Sequence, residues 1–160
     1  MTEPGTTDST PAGARLQFTR HWDVPAAEVW AALTAPDRLA RWFGTYDGPR
    51  EPGGAGLLTM TAEDGATGEP LTVVECAEGR RLSVAWGAPD HWAVDLDLAE
   101  VGGATTLVFS QVFRGAADVP DDVALGWHWY LDRLDAEVRG TAAPPAWEEF
   151  LAGTAPRYGA

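Results

Sequence analysis

The sequence contains no lysine: all 11 basic residues are arginine, set against 24 aspartates and glutamates, for a net charge of −13. A polyanion meets repulsion from such a chain unless a local basic patch exists. The densest basic cluster is Gly79, Arg80 and Arg81, which reads as a turn entering a strand, so nucleic acid is not an expected partner. Cysteine is nearly absent too. Cys76 stands alone, which excludes an internal disulfide and a thiolate metal site and fits a reducing cytoplasm. No run reaches the roughly 18 apolar residues of a membrane span, and no basic-then-apolar signal segment opens the chain. The three histidines, His21, His91 and His128, lack ligand spacing, so no metal is expected. The glycines of "PGGAG" (residues 52–56) sit before a strand rather than between strand and helix, so no phosphate-bearing or other organic cofactor is expected either.

What the sequence does have is periodicity. Residues 1–14, "MTEPGTTDSTPAGA", are polar and turn-rich and read as a disordered tail. In "LQFTRHWD" the residues Leu16, Phe18, Arg20 and Trp22 share one parity, the mark of a strand with one buried face. Residues 24–44, "VPAAEVWAALTAPDRLARWFG", read as two short helices, opened by Pro25 and Pro36. Gly44 is placed to end the second in a left-handed conformation. Glycine-punctuated strands follow, with Leu82, Val84 and Trp86 on one face of "RLSVAWG". The clearest hairpin runs from Trp92 through Gly102-Gly103 to a return strand carrying Leu107, Phe109, Gln111 and Phe113 on one parity. Val123, Trp127, Leu131, Leu134 and Val138 then recur at helical spacing, with Asp118 to Asp122 supplying caps and Gly140 the stop.

The order is strand, two small helices, about five antiparallel strands, one long helix. Helices at the two ends of a run of strands imply an α+β domain, residues 15–140, with one sheet face covered by the long helix. Residues 141–160 read as a C-terminal tail with one helical turn around Trp147, Phe150 and Leu151. Helices of two turns are marginal in water. Such a pair needs a surface, and the open end of the space between sheet and long helix supplies one.

The stretch "PAAEVWAALTAPDRLARWFG" resembles the N-terminal signature of bacterial proteins similar to the activator of heat-shock-protein-ninety ATPase (the AHSA type). "RRLSVAW" looks like that family's mid-sheet strand and "GWHWYLDRL" (residues 126–134) like its closing helix. The resemblance implies the helix-grip, START-like fold of the SRPBCC and birch-pollen-allergen superfamily, whose members hold apolar molecules between a curved sheet and a long helix. Ala35 stands where relatives carry an acidic helix cap, with Thr34 as a substitute, and Gln111 where many carry histidine.

With that fold, the expected site is an internal cavity walled by Trp30, Trp42, Trp86, Trp92, Phe109, Trp127 and Leu131. Each indole offers a large flat face and one N–H donor. Gln111, on the inward parity, needs a hydrogen-bond partner, and a ligand could be it. Arg20 has the same character unless its stem lies on the sheet and its head reaches solvent. His128 either flanks the cavity or is solvated on the helix flank. Asp95 and Asp97 alternate with apolar residues and read as a solvent face, and Cys76 as a small strand hydrophobe. No catalytic residue is assigned. The expected role is binding of a small hydrophobic or aromatic molecule. The alternatives are a cofactor-independent cyclase or dehydratase of polyketide type on the same scaffold, and a protein-interaction or co-chaperone-like module. For the last, Trp147, Phe150 and Leu151 would dock on a partner or on their own domain.

Overall fold

A computed structural model describes residues 2–87 and 92–159; His91 lies outside them. Eight strands form one antiparallel sheet in the order β1-β2-β8-β7-β6-β5-β4-β3. The strands are β1 (Thr6–Thr10), β2 (Gly13–Trp22), β3 (Thr45–Asp47), β4 (Ala55–Thr59), β5 (Glu69–Ala77), β6 (Arg81–Trp86), β7 (Trp92–Val101) and β8 (Ala104–Arg114). The helices are α1 (Ala26–Thr34), α2 (Pro36–Trp42), α3 (Asp121–Arg139) and α4 (Trp147–Thr154), with a 3₁₀ turn at Ala155–Tyr158.

Every strand pairs with its sequence neighbour except where β2 hands over to β3, which lies at the far edge of the sheet. The chain must cross the sheet's width at that one step, and α1 and α2 are the crossing. Their length follows from this task. Proline at position 36 breaks what would otherwise be one straight helix and turns the second half along the rim.

The inward parity is as the sequence predicts. Leu16, Phe18 and Trp22 on β2, Val94, Leu96 and Leu98 on β7, and Leu107 and Phe109 on β8 are all buried on the sheet face covered by the helices. At the β7–β8 hairpin both Gly102 and Gly103 take positive φ, 61° and 79°, the geometry of a two-residue turn that matches strand twist. A register shift between Val73 and Glu75 bends β5, which curls the sheet over the helix.

Four local expectations are corrected. Residues 6–10, read as part of a disordered tail, form edge strand β1 on β2 through a turn where Thr10 Oγ1 donates to Gly13 O at 2.8 Å. Its Thr- and Ser-rich face is exposed, so it has no apolar alternation to betray it. Residues 141–160 carry α4 and a 3₁₀ turn rather than one helical turn, because Trp147 and Phe150 pack on α3 and its neighbours, with Trp129 and Trp147 rings 5.7 Å apart. Gly44 is not left-handed. It is glycine because a Cβ there would lie 2.0 Å from the Thr59 carbonyl oxygen. No side chain caps α2 or α3: Thr34 Oγ1 donates back to Trp30 O at 2.8 Å, and Asp121 and Asp122 favour α3 only through its positive N-terminal dipole.

Candidate functional site

The curled sheet and α3 do not close on each other along their whole length. Where β4 to β8 face the first half of α3 and the rim helices, a cavity of about 250 Å³ remains. Cavities of roughly 150 Å³ with apolar walls stay dry and admit a benzene-sized ring, so this one has room for a larger occupant.

One wall is aromatic. Trp42 and Phe43 come from the end of α2, Trp86 from β6, Phe109 from β8 and Trp127 from α3. The Phe43 and Trp127 rings stack at 5.8 Å and 9°, and Phe109 and Trp86 meet Trp127 at 4.7 and 6.1 Å. The indole donors are turned away from the space: Trp42 Nε1 donates to Ala32 O at 2.7 Å and Trp127 Nε1 to Gln111 Oε1 at 2.8 Å. These two rings thus present their faces with their donors engaged elsewhere. The sheet face that carries Trp86 and Phe109 also supplies the aliphatic lining, Leu58, Val73, Val84, Val94 and Leu96, with Cys76 beside them. Charge enters only where the lining is exposed, at Asp47 and Arg50 beside β3, so the cavity opens to water there.

Of the residues expected to wall the cavity, Trp42, Trp86, Phe109, Trp127 and Leu131 do so. Trp92 is one layer back, stacked on Trp86 at 6.0 Å and 9°. Trp30 is buried in the core under α1, away from the lining. Gln111 is 1% exposed and sits directly behind the wall; its Nε2 has no hydrogen-bond partner among the described residues. An orphan buried donor of this kind costs about 1–3 kcal/mol.

Arg20 and His128 lie elsewhere, in a polar cluster on the other flank of α3, and neither is solvated. The covering segments are the two chain ends. Gly5 N–H donates to Tyr158 Oη at 2.7 Å, Tyr158 Oη meets His128 Nδ1 at 2.8 Å, His128 Nε2 meets Thr2 Oγ1 at 2.8 Å, and Thr2 Oγ1 donates to Asp132 at 2.5 Å. Burial first, then the Arg20 and Arg157 charges, lowers the His128 pKa to about 4, so its imidazole is neutral at pH 7. Thr2 has one hydroxyl hydrogen and gives it to Asp132, so Oγ1 accepts from His128 Nε2–H, and the unprotonated Nδ1 then accepts from Tyr158 Oη. Arg20 donates through Nη1 to Thr19 O at 3.0 Å and lies 5.3 Å from the Phe18 ring centre, with Asp132 3.8 Å from Nη2; burial pulls its pKa down.

Asp95 and Asp97 form ion pairs with Arg81 at 3.3 and 2.8 Å on the outer sheet face. A second depression, about 570 Å³, lies between α2 and the end of α3. Though larger, it is a surface groove whose arginines are engaged: Arg38 with Glu28 and Glu137, Arg41 with Glu137, and Arg133 with the Trp42 carbonyl. Among the described residues no group of acidic, histidine or cysteine side chains has the arrangement of a metal site, and no helix is long and apolar enough to cross a membrane.

Sequence reasoning missed Phe43 as a wall residue, and Tyr46, Asp47 and Arg50 as the rim. Phe43 carried a signal, since it follows Trp42 on the apolar side of α2. Residues 46–50 carried none: a three-residue strand and a loop show no period.

This architecture, a curved antiparallel sheet gripping a long helix beside an apolar space, is the helix-grip fold of the SRPBCC superfamily. The chain belongs to the Activator of Hsp90 ATPase homolog 1-like protein family, whose model matches residues 23–139. Among solved structures it is similar to CalU16 from Micromonospora echinospora, with TM-score 0.73 and 25% identity over 99% of this chain and 96% of that one. A protein encoded by BPP1335 of Bordetella parapertussis superposes with TM-score 0.75 and 27% identity over 98% and 93% of the two chains. DynU16, a protein in the dynemicin biosynthetic locus, shares the fold with TM-score 0.67 and 24% identity, over 82% of this chain and 50% of that one. No curated protein matches the sequence.

Proposed function

We propose that this protein is a cytoplasmic binder of a small, flat, mostly apolar molecule, held among the Trp42, Phe43, Trp86, Phe109 and Trp127 rings and the aliphatic side chains of the sheet. The observation that carries this reading is the cavity itself: about 250 Å³ left unfilled in a domain otherwise packed with large rings. Protein interiors seldom leave voids larger than a water molecule, and an apolar void forfeits contacts along its whole lining. A guest with aromatic character recovers them against the ring faces. The single free thiol, Cys76, supports the cytoplasmic placement.

Native mass spectrometry of protein isolated gently from its own host tests the reading. A co-purified mass of small-molecule size in the wild type, absent from a Val84→Trp variant that fills the cavity, is the expected result. Equal adducts in both proteins contradict it.

A further inference from the structure

The open end of the cavity decides which end of a guest stays in water. The exposed lining residues are Pro36, which opens α2, and Asp47, Gly48 and Arg50, where β3 runs into the loop before β4. That loop is tied to the cavity wall on both sides of Arg50. Before it, Tyr46 Oη donates to Pro49 O at 2.6 Å. After it, Gly54 N–H donates to Glu51 O at 2.8 Å, and the loop docks on β5 through Gly53 N–H to Val73 O and Val73 N–H to Gly54 O, both at 2.8 Å. Tyr46 and Val73 are themselves lining residues. Backbone anchoring therefore presents Arg50 at the mouth.

Arg50 is the one cationic side chain on the lining, and among the described residues it has no ion-pair or hydrogen-bond partner. Carboxylates are not scarce in a chain with 24 acids and 11 bases. Arg38 and Arg41, on α2 nearby, share Glu137, and Arg38 takes Glu28 as well. Asp47, three residues before Arg50 and also on the lining, is not within ion-pair distance of it. A guanidinium offers a planar fork of N–H donors that matches a carboxylate with two parallel bonds. Asp47 has a short side chain on a strand paired to Leu57, whereas the long stem of Arg50 can follow a head group over the mouth.

We propose that the molecule held in the cavity is an amphiphilic acid: its flat apolar body lies among the rings, and its carboxylate sits at the mouth on the Arg50 guanidinium. Arg50 is thereby a specificity residue that selects acids over neutral molecules of the same shape. This rests on the binding reading above. The net charge of −13 opposes an anion only at long range, and salt screens it beyond about 8 Å. Because the mouth is open to water, the selection is modest, roughly 3-fold.

The test uses two probes of matched shape, 2-naphthylacetate and its neutral amide, titrated calorimetrically into the wild type and into Arg50→Gln. The ratio of their affinities cancels what the cavity contributes to both. We expect the acid-to-amide ratio to fall about 3-fold in the variant. A ratio unchanged within experimental error, with both probes bound, overturns the head-group proposal and leaves the cavity reading standing. So does tighter binding of the ammonium analogue 2-(2-naphthyl)ethylamine than of the acid, which would assign the mouth to Asp47. Failure of the wild type to bind these probes and 2-isopropylnaphthalene alike overturns both readings; binding of the hydrocarbon alone overturns only this one. Should Arg50→Gln not fold, salt decides the matter in the wild type. The acid-to-amide ratio should drop between about 50 and 500 mM salt, and a ratio indifferent to salt overturns the proposal.

Discussion

Phe43 and Trp127 lie nearly parallel, 9° apart in plane and 5.8 Å between centres, and this stack joins the crossing helices to the long helix. It anchors the end of α2 on α3 beside the cavity, because Phe43 also meets Trp42 at 5.2 Å and Tyr130 at 5.0 Å. Replacing Phe43 with alanine removes a buried ring from three contacts at once. A loss of about 3–5 kcal/mol is expected, read as a lower urea midpoint. Leucine, which keeps most of the volume, should cost well under half as much.

Two glycines make opposite predictions for the same substitution. Gly44→Ala places a methyl 2.0 Å from the Thr59 carbonyl oxygen, backbone that cannot yield without parting α2 from β4, and should be strongly destabilising. Gly126 lies in the first half of α3, in helical geometry, and a methyl added there would have nothing within 4 Å. Gly126→Ala should raise stability by about 0.5–1 kcal/mol, from helix propensity alone. Thermal unfolding of the two variants checks both signs.

The polar cluster predicts a pH dependence. His128 is neutral in the folded protein down to about pH 4, whereas an imidazole in the unfolded chain protonates near 6.5. Between those values the unfolded state binds more protons, so stability falls as pH drops through the window, by up to about 3 kcal/mol at its lower end. Asp132 faces the same cluster and works the other way, since burial raises its carboxyl above the ordinary range; the guanidinium groups of Arg20 and Arg157 face the imidazole as well. Urea midpoints measured between pH 7.5 and 4.5 should slope downward in the wild type and much less in His128→Gln. An equal slope in both would mean that another group titrates.

The chain ends are predicted to matter for the same cluster. Thr2 is the hinge of its hydrogen-bond chain, and Arg157 Nη2 donates to its backbone oxygen at 2.6 Å. Deleting residues 2–5 should expose His128, bring its pKa back toward 6.5, and flatten the slope just described. Titration of the His128 ring resonances by NMR reads this directly.

Much of this fold was legible in the sequence because its burial is periodic. Trp92 to Phe113 alternate on both sides of a double-glycine turn, and Trp127, Leu131 and Leu134 keep helical spacing. β1 was illegible because an exposed Thr- and Ser-rich edge strand has no apolar face, and its pairing rests on backbone bonds and an exposed Asp8–Arg15 ion pair. The site was half legible. Parity assigns a residue to the inner face, which is why Phe109, Trp86 and Trp127 were found. Parity says nothing of where along that face a gap remains, so Trp30 and Trp92 were counted though other side chains fill the space before them. Arg20 and His128 were misplaced for another reason. They are covered by the two termini, and composition gives no sign that a polar end will fold back over a polar cluster.

The central claim is that an apolar molecule enters the space between sheet and long helix, and methyl NMR under titration with 2-isopropylnaphthalene tests it most directly. Saturable shifts concentrated on the methyls of Leu58, Val73, Val84, Val94 and Leu96, which line the cavity, are the predicted result. Shifts confined to the exposed methyls of Leu57, Val74 and Val101, with the lining residues unmoved, would contradict it.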